Sequence, residues 1–392
     1  MTTLFKNARI ITTMGIFPGE LLVNGKVIGE VYLDSICSSY ADRVIDAQGQ
    51  YLSPGFIDLH THGAGGADFM DGDLEAIYHA CRTHMLCGTT SIMPTTIAGS
   101  RQSLLDFIDL FNQVELQRPD MPDILGLHLE GPYLAFSQRG AQDPVHLRNP
   151  DPDEYNEVLR RTDRIKRWSF AIELDGAGEF LERLNQNGIV GSLAHSDANF
   201  YQVKQMFENG LKALTHFYSC MSGVVRENGF RIPGAIEAGY LLDGLILEVI
   251  ADGCHLPAEL LQLIYKVKGA DQICLVTDSM RAAGMPEGEY LLGSKNTELC
   301  VIVEDGVAKL PDRSAFAGSV ATSDRLVRTM RDFACVPLHQ AVRMASLTPA
   351  KLIGLDHQKG SIAAGKDADL LLFDENIHVS MVMIGGDIRQ LI

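Results

Sequence analysis

The chain has 392 residues, of which 46% are hydrophobic and 21% charged, and this excludes a disordered chain and a coiled coil. Lys and Arg total 33 against 50 Asp and Glu, a formal charge of −17. So acidic a surface repels nucleic acid phosphates and anionic membranes, so neither partner is expected, and a phosphorylated substrate would need a local basic site.

The N-terminus, Met1 to Lys6, lacks the charged-then-apolar profile of a signal peptide. Phe5 to Ile11, Gly19 to Val23 and Val27 to Val31 read as short strands, separated by turn signals at Phe17-Pro18-Gly19 and Asn24-Gly25. From residue 55 the pattern changes. Apolar runs end near Leu59, Met93, Leu129, Ile172, Ala194, Thr215, Ile250 and Val276. Amphipathic stretches such as Leu74 to Cys87, Glu179 to Gln186 and Tyr201 to Asn209 lie between them and predict helices. Strands alternating with helices in this number predict a (β/α)8 TIM barrel in the α/β class. No GxGxxG or GxxxxGK[ST] loop supports an open nucleotide-binding sheet. An insertion is expected around Gly284 to Pro311. The last residues are β-like again, at Asp369 to Asp374 and Val379 to Gly386. The division expected is a small β-sandwich domain from 1–54 and 355–392, and a barrel from 55–354.

The longest apolar stretches are short; Leu241 to Ile250 is broken by Asp243, Gly244 and Glu248. None approaches the roughly 18 residues of a membrane span. Eight cysteines form no CxxC pair and suggest no disulfide framework, which points to a reduced, cytoplasmic protein.

In such a barrel, chemistry sits at the C-terminal ends of the strands. The first run ends His60-Thr-His62, and a period of two turns both imidazoles to one side, where they can grip a divalent metal. The third ends His128-Leu-Glu130, a carboxylate at a strand exit, with His128 one layer deeper and better read as a core histidine. The fifth and sixth place single histidines, His195 and His216. The eighth ends on Asp278, which needs a partner because an unpaired buried charge is costly. Taken singly, each has a plain structural reading as a loop or capped residue. Taken together, they converge if the barrel closes, and a metal centre accounts for all of them.

These residues resemble the amidohydrolase superfamily and, within it, the N-acetylglucosamine-6-phosphate deacetylases. The carrying motifs are PGFIDLHTHG at 54–63, HLEGPY at 128–133, LAHSDA at 193–198, ALTHFYSCM at 213–221, ADGCHL at 251–256 and VTDSM at 276–280, with SLTPAKLIGLDHQKGSIAAGKDADLLLF at 346–373. The resemblance spans nearly the whole chain and implies one or two divalent ions, zinc first, with iron, manganese or cobalt compatible. Glu130, His195 and His216 resemble the ligands of a primary metal, and His60 and His62 those of a second. Asp278 resembles the catalytic aspartate, itself at the metal, and His255 a sugar contact. A homodimer and a small-molecule amino sugar substrate are implied as well.

Three departures from the family pattern concern substrate recognition. Ser219-Cys220 replaces the usual Asn-Ala, leaving backbone donors to hold a phosphate. In the loop Arg139-Gly140-Ala141-Gln142, Gln142 replaces a histidine that polarises the acetyl carbonyl. The phosphate-arginine loop is altered, with Arg226 favoured by motif and Arg231 by the Pro-Gly that follows. Rival readings are an amidohydrolase of cyclic amides or N-acyl amino acids, a deacetylase of another amino sugar, phosphorylated or not, and a catalytically silent scaffold. Against the first, strand four, Phe170 to Asp175, lacks the lysine that many of those barrels carbamylate.

Overall fold

The computed structural model describes residues 1–37, 40–295 and 299–391. Parallel strands alternate with helices through its middle. Phe56–Thr61 pairs in parallel with Thr89–Pro94, which pairs in turn with Asp123–Ile124. A second parallel run carries, in order, Leu127–Glu130, Ile165–Phe170, Val190–Leu193, Ala213–Leu214, Ile246–Val249 and Ile273–Leu275. Hydrogen bonds join the two runs at both seams. At one, Thr95 bridges His128 in parallel. At the other, the Asp278 amide donates to His60 O and the His62 amide to Ser279 O, each over 2.8 Å.

The strands end within a few residues of the positions read from sequence, because strands covered on both faces are near-continuous apolar runs. All of Phe56–Thr61 and Thr89–Pro94 is buried. Ile57, Leu59, Met93, Ile250, Cys274 and Val276 fill one interior cluster. Helices cover the outside, and side chains cap the starts of several of them. Asp73 accepts the Glu75 amide ahead of Leu74–Leu86, and Asn199 with Gln202 forms a capping box at Phe200–Glu208.

The terminal strands differ from the expected sandwich in their pairing. Thr2–Ile11, Ile16–Asn24, Val27–Leu33, Arg43–Asp46, Tyr51–Pro54, Leu370–Phe373, Val379–Ile384 and Asp387–Leu391 form one hydrogen-bonded sheet. Tyr51–Pro54 is the reason: it pairs with Thr2–Ile11 and also with Leu370–Phe373, so the N- and C-terminal strands share a ladder. Phe5, Ile10, Leu21, Leu52, Leu370 and Met381 belong to a core of its own. The predicted strand Val379 to Gly386 becomes a hairpin. Gly385 and Gly386 take φ of 54° and 79°, and Asp387–Leu391 returns along Val379–Ile384. Buried Lys359 ties this sheet to the barrel, meeting Asp369 at 2.5 Å and Asp123 at 2.9 Å.

The insertion after the last barrel strand is itself structured. Gly288–Leu291, Cys300–Glu304 and Val307–Lys309 form a three-stranded antiparallel sheet. Its Val301, Val303 and Ala308 pack with Met280, Leu292 and Ala317, and it brings residues 315–318 to the wall of the cavity at the barrel mouth.

Candidate metal centre and active site

Strand ends bring six of the sequence candidates into one cluster. His60 and His62, two apart on Phe56–Thr61 and its exit, place their Nε2 atoms 3.2 Å apart. His195 and His216, from neighbouring strands, do the same at 3.2 Å. Glu130 stands between the two pairs. Its Oε1 lies 3.0 Å from His216 Nε2, 3.5 Å from His195 Nε2 and 3.6 Å from His60 Nε2, and its Oε2 lies 3.5 Å from His62 Nε2. Asp278 Oδ1 closes the cluster at 3.1 Å from His62 Nε2 and 3.4 Å from His60 Nε2. His60, His62 and Glu130 form one group able to hold a cation; Glu130, His195 and His216 form another, and the carboxylate is common to both. All six residues are buried.

The donor set fits a divalent cation. His62 Nδ1 faces Thr95 O at 3.3 Å, His195 Nδ1 faces Gln138 O at 2.7 Å and His216 Nδ1 faces Ser219 O at 3.2 Å. A carbonyl only accepts, so in neutral rings these nitrogens carry the proton and each Nε2 turns a lone pair inward. Lone pairs and carboxylate oxygens crowded within a few ångströms repel unless positive charge sits among them. Imidazole and carboxylate ligands with backbone-anchored Nδ1 atoms are the pattern of a transition-metal site.

Without an ion, protons are the positive charge available. Burial pulls His62 down, but its hydrogen bond to Asp278 and the charges of Glu130 and Asp278 outweigh it, raising its pKa to about 9. Burial works to raise Glu130, yet the imidazoles around it hold it well below the usual carboxylate range. Asp278 is lowered too, its burial outweighed by His60 and His62. Backbone strain accompanies the cluster. His195, His216 and Asp278 have φ of 46°, 32° and 45°, left-handed values that cost a non-glycine residue of order 1 kcal/mol or more and concentrate at functional sites.

A cavity of about 220 Å³ opens above these side chains. It is smaller than the roughly 300–1,000 Å³ of drug-sized ligand sites. Ala141, Gln142, Ser219, Cys220 and His255, all named from sequence, line it. Ile97, Leu292 and Phe316 were not named and line it as well; Leu292 comes from the insertion and Phe316 follows it, and no motif announces how that segment folds. Asp252 was missed although it stands inside the ADGCHL motif. It is buried and accepts from His255 Nδ1 at 2.8 Å and from the His255 amide at 2.8 Å, fixing the ring against Phe316.

Two residues of the recognition loops have partners within the chain. Gln142 Nε2 donates to Glu130 Oε2 at 2.9 Å while its Oε1 accepts from the Ala98 amide at 2.8 Å, so this side chain restrains Glu130 and keeps one further amide N–H. The Ser219 amide is taken by His216 O at 2.9 Å, because the chain turns back on itself there. Cys220 lies beside His195. Burial works to raise its thiol, but the His195 charge and hydrogen bond prevail and its pKa falls below the ordinary value. Gly140 makes this approach possible. Its φ is 55°, and a Cβ there would come within 2.7 Å of Cys220 Sγ. Arg226 and Arg231 do not line the cavity. They sit opposite each other on an exposed hairpin, Val225–Glu227 paired with Phe230–Ile232. Among the described residues no lysine or arginine lines the cavity. His128 is a buried core histidine, its nitrogens engaged by Thr95 Oγ1 at 3.2 Å and Ser169 Oγ at 2.7 Å.

Residues 51–389 match the family model described as the amidohydrolase family. The chain belongs to the amidohydrolase family. Among its relatives, an N-acetylglucosamine-6-phosphate deacetylase of Lysinibacillus sphaericus is 33% identical over 88% of this chain and 87% of its own length. An N-acetylgalactosamine-6-phosphate deacetylase of Escherichia coli O157:H7 is 30% identical over 88% of this chain and 90% of its own. The N-acetyl-D-glucosamine-6-phosphate deacetylase of Mycobacterium smegmatis, solved as a point mutant in complex with N-acetyl-D-glucosamine-6-phosphate, superposes on this amidohydrolase with a TM-score of 0.90. It is 29% identical, with 99% of each chain covered. No helix among the described residues is long and apolar enough to cross a membrane.

Proposed function

We propose that this amidohydrolase removes the acetyl group of an amino sugar phosphate, converting N-acetylglucosamine 6-phosphate to glucosamine 6-phosphate and acetate. One observation carries the reading: two cation-holding groups share Glu130, with Asp278 against them. The names of the relatives support the substrate class. We place the reaction at the mouth of a (β/α)8 barrel, 55–354, carrying a small β domain from 1–54 and 355–392. The separate core of the terminal strands, with Phe5, Leu52 and Leu370, supports that division.

His60, His62, Glu130, His195, His216 and Asp278 would hold one or two divalent ions. Zinc suits these ligands best, and iron, manganese or cobalt are compatible. When bound, such an ion supplies Lewis acidity, polarising the acetyl carbonyl and acidifying water. Asp278 accepts a proton from the water that adds to the carbonyl carbon. It returns that proton to the amine nitrogen as the C–N bond breaks, leaving acetate and the free amine. Asp252 holds His255 toward the sugar. Ala141, Ser219 and Cys220 form the wall beside it, and Gln142 keeps Glu130 in place. Arg226 would reach phosphate from a second copy of the chain. The hairpin that carries it is exposed, with Val225 and Phe230 50% and 74% accessible, which supports a homodimer contact. Eight cysteines with no CxxC pair among them support a reducing, cytoplasmic location.

A second reading has its own support. A cavity without lysine or arginine among its described lining also suits a different or unphosphorylated N-acetyl amino sugar. Acetate release from N-acetylglucosamine and N-acetylgalactosamine, each with and without 6-phosphate, separates the two. The first reading requires the phosphorylated glucosamine derivative to lead in kcat/KM, and equal or better turnover of an unphosphorylated sugar overturns it.

A further inference from the structure

One layer below the imidazole cluster, Arg167 and Glu248 meet inside the barrel. Both are fully buried and form an ion pair. Withdrawing two charges from water is costly, so a pair in this position calls for a reason beyond packing. Arg167 reaches one side of the cluster. Its Nη2 donates to Thr215 Oγ1 at 2.8 Å, next to His216 in the chain, and its Nε donates to Ser192 Oγ at 3.1 Å. Glu248 reaches the other side, with Oε2 3.6 Å from His60 Nδ1.

His60 differs from its three neighbours at this atom. Their Nδ1 atoms face backbone carbonyls. His60 Nδ1 is buried without a hydrogen-bond partner and faces a carboxylate. The ring packed edge-on against it, His128 at 4.7 Å between centroids, has both nitrogens engaged elsewhere and offers no acceptor. A shift of roughly half an ångström brings the Glu248 oxygen to hydrogen-bond length.

We infer that Glu248 is a positioning residue. It accepts the Nδ1–H of His60 and so turns the His60 Nε2 lone pair toward the cation group shared with His62 and Glu130, while Arg167 balances its charge. A carboxylate behind an imidazole ligand fixes its tautomer and raises its basicity, and losing such a partner weakens metal binding by about 10–100-fold. The two cation groups are therefore unequal: one is backed by a carboxylate, the other by neutral carbonyls. The inference rests on the metal-centre reading.

The test compares two paired substitutions, Arg167→Met with Glu248→Leu and Arg167→Met with Glu248→Gln. Each removes both charges, so no cation is left unpaired, and only the second keeps an acceptor for His60. Zinc is titrated into the metal-free proteins against a chromophoric chelator, with circular dichroism to verify folding and His60→Ala to assign the affected site. The expected result is a roughly 10–100-fold loss in the Leu pair at the site that His60→Ala also weakens, an unchanged second site, and partial recovery in the Gln pair. Wild-type affinity in the Leu pair, or equal losses in both pairs, overturns the inference. If the wild type takes up zinc, only the role of Glu248 falls; if it takes up none, the metal centre falls and the inference with it. Should the pairs not fold, the imidazole ¹⁵N–¹H spectrum of the zinc-loaded wild type decides. A downfield, hydrogen-bonded Nδ1–H on His60 supports the inference, and its absence overturns it.

Discussion

His195 and His216 face each other through Nε2 atoms 3.2 Å apart, while each commits its Nδ1 to a backbone carbonyl. Two lone pairs held this close by a rigid scaffold favour any state that places positive charge between them. Stability should therefore depend on metal. At free zinc 100-fold above Kd, binding to the folded state alone adds about 2.7 kcal/mol. Differential scanning calorimetry of the chelated protein should show a lower Tm that climbs with added zinc. A Tm indifferent to zinc would contradict this reading.

Asp278→Asn keeps the shape of the side chain and removes its ability to take a proton. General acid–base groups contribute about 10²- to 10⁴-fold, so kcat should fall by that order. The group of Glu130, His195 and His216 has its own donors and should retain metal. Metal analysis beside steady-state kinetics checks both parts, and unaltered turnover with metal bound would remove Asp278 as the base.

In the metal-free protein, His62 binds its proton more tightly folded than unfolded, at about 9 against 6.5. A raised folded pKa gives stability that is fully present below 6.5 and lost as pH climbs through 9. His195 and His216 are raised as well and act in the same sense. Denaturant midpoints of the metal-free protein should decline between pH 6.5 and 9. Zinc affinity should rise over the same interval, because ion and proton compete for the same nitrogens. A flat profile would show that these imidazoles are neutral without metal.

Asp252→Ala removes the anchor of His255 Nδ1. A hydrogen bond to a charged group is worth about 1.5–3 kcal/mol, so kcat/KM should drop roughly 10- to 100-fold while bound metal is unchanged. Loss of metal would instead place Asp252 among the supports of the cation groups.

What could be read from sequence follows physical lines. Strand ends were legible because a strand covered on both faces must be apolar, and a polar residue at its exit stands out. His60 and His62 were placed on one side by the period of two alone, and His128 was legible as core because it lies a layer deeper on the same face as Glu130. Arg167 and Glu248 escaped notice because each looks like an interruption of an apolar run until the barrel lays their strands side by side. The available signal was a pair of opposite charges in two such strands with no local partner. Phe316 and Leu292 reach the cavity through a small sheet whose position depends on tertiary packing with Met280 and Ala317. The partners of Gln142 and of the Ser219 amide depend on loop paths that no motif records.

The measurement closest to the heart of this account is acetate release from N-acetylglucosamine 6-phosphate before chelation, after chelation and after zinc is returned. Release that stops on chelation and resumes with zinc is the expected outcome. Sustained release from protein shown by elemental analysis to be free of metal would contradict it.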